Sequence, residues 1–242
     1  MRRHIAFDRL HNFRDLGGYR GAGGRTVRWG RLYRSGSLAR LAGEDRERFL
    51  ALGIRTVIDL RYPWEIEAQG RVPELAGTDY LNLSIEHRPY DQAEIDPAVD
   101  PWRYLADRYA EVAVDGVAEL RRTIEVIAGD SGPLVFHCKS GKDRTGLVAA
   151  LVLVLLGVAE EDVVADFALT ELATDRLVAE WRAAHPGREL RWPAYGRAPA
   201  EVMRLVLADL AATYGSVEDY ATDRLGLDRE VIARLRVNLL EP

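Results

Sequence analysis

Cysteine and lysine are almost missing from this chain. Its 242 residues hold one cysteine, Cys138, and two lysines, Lys139 and Lys142, so arginine supplies the other 31 of the 33 basic residues. A single cysteine excludes an internal disulfide, and no group of cysteines and histidines has the spacing of a structural zinc site. No metal and no cofactor is expected. Long apolar runs are also missing. The longest, "GLVAALVLVLLGVA" from Gly146 to Ala159, falls short of the ~20 residues that span a bilayer, so it is expected as a buried helix and stable membrane insertion is not. The opening "MRRHIAFDRLHNFRDLGG" is basic but lacks the apolar segment of about 7–15 residues that marks a secretory signal. A cytoplasmic location is therefore expected, with signal-independent secretion as its alternative. The formal net charge is −5, which argues against nucleic acid as a partner. Any attraction for anions must come from a local patch.

Apolar residues make up 48% of the chain and charged residues 29%, ordinary values for a globular protein. "IRTVIDLR" ends near Arg61 and reads as a β-branched strand, and "DYLNLSI", from Asp79 to Ile85, reads as a second strand. "GPLVFHC" reads as a third, short and apolar. "AGEDRERFLALG", stopped by Gly53, reads as a helix. "WRYLADRYAEVAVDGVAELRRTIEVIAG" has helical spacing interrupted near Gly116, and the stretch 87–100 is polar and proline-punctuated, a loop. "EEDVVADFALTELATDRLVAEWRAAHPG" reads as one amphipathic helix, and three short helices follow Arg197. The glycine- and arginine-rich "NFRDLGGYRGAGGRTVRWGRLYRSG" suggests a hairpin-like entry with tight turns. Strands alternating with helices predict an α/β fold, a mainly parallel central sheet flanked by helices. One domain is expected over 1–242, with helical cap elements within 160–215.

Both lysines and the cysteine fall inside "HCKSGKDRTG", His137 to Gly146, between the third strand and the buried helix. Ligands of open α/β sheets sit at the carboxyl ends of strands, and a helix start offers unpaired N–H groups and a positive dipole end to an anion. Gly141 and Gly146 allow the backbone to curl. Arg144 can grip two anion oxygens bidentately. Cys138 beside the same N–H groups and cations is favoured as thiolate, placed to attack a bound phosphate and form a cysteinyl-phosphate that water then hydrolyses. Asp143 is the carboxylate of the loop and the first candidate for the general acid. Asp59, at a strand end, is the second, with an arginine ion pair as its alternative role, and Asp166 is a third. A nucleotide-binding G-x-x-x-x-G-K-[ST] loop is excluded by spacing, since Phe136 and Asp143 stand where it needs glycine and a hydroxyl residue.

The C-x5-R pattern from Cys138 to Arg144 resembles that of the cysteine-dependent protein phosphatases. With "NFRDLGGY", "LYRSGSL", "GIRTVIDLR" and "YGSVEDYATDRLGLD", the chain resembles the bacterial atypical tyrosine phosphatases with a C-x-x-G-K-D-R-T loop. The resemblance implies phosphate-monoester hydrolysis, with Cys138 as nucleophile, Arg144 as phosphate binder and Asp143 as acid. It also implies a protein tyrosine or dual-specificity activity reaching phosphoserine, phosphothreonine and phosphoinositides. Lys139, Ser140, Gly141, Lys142, Thr145 and Gly146 complete the expected substrate-binding loop. The loop further resembles that of the tensin-type phosphoinositide phosphatases, where lysines stand at these two places, and two ammonium groups beside an arginine suit a substrate with several phosphates. The expected partner is thus a phosphorylated protein or a phosphoinositide. A binding module without hydrolysis is the competing class, though such modules usually lose the cysteine, arginine or acid. "RWPAYG" has Ala194 where the W-P-D loop of animal tyrosine phosphatases carries its acid, and is expected to be a coincidence.

Overall fold

The computed structural model describes residues 3–85, 88, 95–96, 98–129, 132–192 and 194–242. Its strands are β1 (Arg14–Asp15), β2 (Thr26–Val27), β3 (Leu32–Ser35), β4 (Thr56–Asp59), β5 (Asp79–Asn82), β6 (Leu134–His137) and β7 (Leu240–Glu241). The helices are α1 (Glu44–Ala51), α2 (Pro63–Gln69), α3 (Pro101–Asp115), α4 (Val117–Gly129), α5 (Asp143–Leu155), α6 (Glu160–Ala168), α7 (Thr174–Ala184), α8 (Ala200–Tyr214), α9 (Val217–Asp219) and α10 (Arg229–Leu239). Among them no helix is long and apolar enough to cross a membrane.

The main sheet has the order β1-β3-β6-β4-β5. Its four longer strands are parallel and β1 adds an antiparallel edge. In register, Ser35, His137 and Asp59 lie side by side at the carboxyl ends of β3, β6 and β4. Side chains of a strand alternate between its two faces, and the core divides accordingly. Tyr33, Val57 and Val135 pack with Phe7, Phe13 and Phe49 on one face. Leu32, Ile58, Leu134 and Phe136 pack with α5 on the other. Such strands are covered on both faces and read as continuous apolar runs, which is why "LVFH" is buried at every position.

Helix α5 has no polar side after its first turn, because α3, α4, α6, α9 and α10 all touch it. A helix apolar all round must be buried all round. The expected interruption near Gly116 is a real break between α3 and α4. Two expectations need correction. The single helix expected after Glu160 is cut by a 3₁₀ segment, Leu169–Ala173, which delivers the buried Thr170 to the side chains of Asn12 and Arg14. The hairpin expected in 12–36 is only partly one: β1 pairs with β3, but β2 leaves to pair with β7 near the end of the chain. The loop expected at 87–100 lies mostly outside the described residues.

Leu151 sits at the middle of α5 and is fully buried. Truncation to alanine should cost about 2–5 kcal/mol, the transfer free energy plus a residual cavity. Urea or thermal unfolding of Leu151→Ala measures this, and a loss under ~1 kcal/mol would contradict the all-round packing of α5.

Candidate active site

Cys138 follows the last residue of β6, and Arg144 lies in the first turn of α5. The chain between them turns sharply at Gly141, where φ is +68° and a Cβ would stand 2.4 Å from the carbonyl oxygen of Ser35. Only glycine fits there. At Gly146 a Cβ would stand 3.0 Å from the Phe167 ring, so the second glycine lets α6 close on α5. Gly146 and the fully buried Thr145 therefore lie behind the loop, in the packing, and are not among the residues that line the cleft.

Four successive loop carbonyls are anchored from outside. The oxygen of Cys138 accepts from His137 Nδ1 at 3.1 Å, and that of Lys139 from the Ser37 amide at 2.9 Å. The oxygen of Ser140 accepts from Asn12 Nδ2 at 3.2 Å. That of Gly141 accepts from Asn12 Nδ2 and Arg34 Nη2, both at 2.9 Å. In a trans peptide the N–H points opposite to the carbonyl, so the amides of Lys139, Ser140, Gly141 and Lys142 are turned to the other side. Convergent amides at a helix start form an anion-binding concavity.

Two of the anchors, Asn12 and Arg34, are themselves fixed by a buried charge cluster. Asp166 on α6 takes Arg14 Nε at 3.0 Å and Arg34 Nη1 at 2.7 Å, with all three side chains almost without solvent exposure. Arg14 also donates to the side-chain oxygen of Asn12, and Tyr19 donates to Asp166 at 3.2 Å. Burial works against the Asp166 charge, but the two guanidinium groups outweigh it and hold the carboxyl at about 2. Asp166 is thus no acid candidate. Its charge is committed to the scaffold, and the "NFRD" and "LYRS" stretches are the frame of the loop.

Arg144 is also braced. Glu65, in the first turn of α2, receives its two terminal nitrogens at 2.7 and 3.1 Å, and the carbonyl of Leu60 receives one at 3.2 Å. Burial opposes the Glu65 charge, yet the Arg144 guanidinium keeps its carboxyl below the usual range. Glu65 Oε2 also accepts from the Tyr62 amide, so it caps the helix that carries it. Sequence reasoning passed over Glu65, which has no motif of its own.

The loop opens into a cleft of about 1430 Å³, whose lining includes Cys138, Lys139, Ser140, Lys142, Asp143 and Arg144. Asp143 is partly exposed at its mouth, with Oδ1 at 3.5 Å from Lys142 Nζ. The two lysines differ. Lys139 is exposed, whereas Lys142 is 2% exposed and donates to the carbonyl of Arg197 at 3.4 Å. Asp59 is elsewhere: fully buried, it accepts from Arg61 Nε at 2.9 Å, Arg61 Nη2 at 2.6 Å and Tyr80 at 3.0 Å. Burial opposes its charge, and the surrounding cations still keep its carboxyl below the usual range. Asp59 does not line the cleft, and its arginine pairing is the role the geometry gives it. Within "RWPAYG", Trp192 is buried against Tyr104 and Ala194 is buried beside it, so Ala194 belongs to the core, while Tyr195 and Gly196 line the cleft and residue 193 lies outside the described residues.

Replacing Asp166 by asparagine leaves two buried guanidinium groups without their counter-charge, which should cost about 3–5 kcal/mol. The sign with pH follows from the depressed carboxyl. Its stabilisation is complete above an unfolded value of about 3.9 and is lost as pH falls toward 2. Unfolding of wild type and Asp166→Asn across pH 7 to 2 should show the gap between them closing in that window. A constant gap would refute the assignment.

Residues 5–241 match the family described as the tyrosine phosphatase family. A Cupriavidus necator protein assigned as a tyrosine-protein phosphatase is 33% identical over 263 residues, 99% of this chain and 89% of its own. A tyrosine-protein phosphatase of Nostoc commune is 30% identical over 220 residues, 85% of this chain and 73% of its own. The triple specificity protein phosphatase PtpB of Mycobacterium tuberculosis is 32% identical over 188 residues, 64% and 65% of the two chains. A match over nearly the whole length identifies this protein as a member of the tyrosine phosphatase family.

Proposed function

We propose that this chain hydrolyses phosphate monoesters through a cysteinyl-phosphate on Cys138. The observation that carries the reading is the set of four anchored carbonyls from Cys138 to Gly141, which leaves the amides of Lys139, Ser140, Gly141 and Lys142 facing away from those anchors and available to an anion. A phosphate held by those amides and by Arg144 presents phosphorus to the thiolate. The S–P bond forms as the bond to the leaving oxygen breaks, and Asp143 gives that oxygen its proton. Asp143 then takes a proton from water, which attacks phosphorus, releases inorganic phosphate and restores the thiolate.

Phosphotyrosine proteins are the substrates that membership in the family makes the first choice, and phosphoserine, phosphothreonine and phosphoinositides extend the range. For phosphates beyond the reacting one, the two lysines divide their work. The Lys142 ammonium is engaged by the Arg197 carbonyl and Asp143 and holds the loop's shape. The Lys139 ammonium stands on the cleft wall and is the cation for a second phosphate.

Cys138→Ser should abolish phosphate release from every substrate without added metal, while keeping phosphopeptide affinity. Asp143→Asn should lower kcat by about 10²–10⁴-fold on substrates with poor leaving groups. Retained turnover in the serine variant would end the thiolate mechanism. Glu65→Ala should lower kcat/KM by about 10–100-fold, because Arg144 loses its geometry, and the loss should extend to the affinity for inorganic phosphate. Lys139→Met should reduce turnover of bis- and tris-phosphorylated inositol lipids more than that of a phosphotyrosine peptide. An equal loss on both would show that Lys139 does not select.

A further inference from the structure

The largest exposed apolar side chain at the mouth of the cleft is Trp64. Its indole is 63% exposed on a chain that buries Trp181 and Trp192. It is not loosely placed. Its ring lies nearly parallel to that of Tyr62, 5.7 Å between centroids at 16°, and the Tyr62 ring in turn lies 5.4 Å from the Arg144 guanidinium. Guanidinium, phenol and indole thus form a three-layer stack that begins at the phosphate-binding arginine. Both aromatic side chains line the cleft.

The stack is rigid for a reason legible in "YPWE". Pro63 takes the first position of α2, where its fixed φ suits a helix start, and it holds Tyr62 extended. Glu65 ties the Tyr62 amide with one carboxylate oxygen while gripping Arg144. The brace that aims the arginine is therefore also the brace that aims the aromatic pair.

We propose that Tyr62 and Trp64 form an aryl platform that selects phosphate esters of planar aromatic alcohols, phosphotyrosine above all. With its phosphate in the loop, a phosphotyrosine ring emerges past Arg144 along the stack. Offset stacking with the free indole face gains from dispersion and quadrupole matching. Phosphoserine offers no ring, and an inositol ring is saturated and covered with hydroxyls, so neither gains from this contact. The proposal rests on the phosphatase reading of the same loop and adds the residues that set its preference.

The test measures binding and turnover separately. Affinities of matched phosphotyrosine and phosphoserine peptides are determined on Cys138→Ser and on Cys138→Ser combined with Trp64→Ala or Trp64→Phe. Their kcat and KM are determined on the corresponding chains with Cys138 intact. Trp64→Ala should cut the ratio of phosphotyrosine to phosphoserine affinity by about 3- to 10-fold, the loss should appear in KM rather than kcat, and Trp64→Phe should recover most of it. An unchanged ratio, or equal losses on both peptides, overturns the platform. So does a Trp64→Ala variant that loses only its binding to vesicles of phosphatidylcholine and phosphatidylinositol phosphate, since the indole would then serve a lipid surface. Absence of turnover by wild type would count against the hydrolase, while the affinity ratio would still decide the platform.

Discussion

Asp166 is one carboxylate shared by two buried arginines, and the loop from Cys138 to Arg144 hangs from them. Taking three charges out of water is expensive, and apolar residues of the same volume could fill the space at less cost. What they could not do is hold peptide groups in a chosen orientation. Arg34 grips Gly141, Arg14 grips Asn12, and Asn12 grips Ser140 and Gly141. Asp166 keeps both guanidinium groups in place. The carbonyls of Cys138 to Gly141 are paired within neither a helix nor a strand, so their partners must come from outside the loop. Charged groups make the stronger hydrogen bonds for that purpose. The stability spent on burial is returned as a preorganised site.

What was legible in the sequence follows the range of the interactions. Cys138 and Arg144 belong to one turn of chain between a strand and a helix, so a single ten-residue window carries the chemistry. The α/β class was legible from alternating patterns, since β4, β6 and α5 are short or uniformly apolar elements bounded by turns. Asp166 and Glu65 act on residues tens of positions or more away, and no local rule names their partners. One signal did exist. In "EEDVVADFA" the buried Val163 and Phe167 flank Asp166 at helical spacing, which puts a carboxylate on an apolar face. A charge there needs a buried partner, and Arg14 in "NFRDLGGY" and Arg34 in "LYRSG" are candidates. The break at 169–173 had no such mark, because the amphipathic pattern runs on through it.

Asp59 shows the same limit from the other side. A carboxylate at the carboxyl end of a central strand is where catalytic groups often stand, and sequence spacing alone could not separate it from Asp143. The two differ in what surrounds them. Asp59 is satisfied by Arg61 and Tyr80 within the core, whereas Asp143 opens α5 and reaches the cleft.

The division of charge at the loop follows from these pairings. Arg144 arrives at the site already matched by Glu65, so its guanidinium contributes a fixed fork more than an unbalanced charge. The surplus lies behind the loop, where two arginines face one carboxylate, and along the amides that point away from them. Dipoles and buried charge that do not move on binding need no reorganisation when a dianion enters, which is the condition under which electrostatic stabilisation of a transition state is largest. The field that matters is local, made where residues 12, 14 and 34 act on the backbone of 140–141.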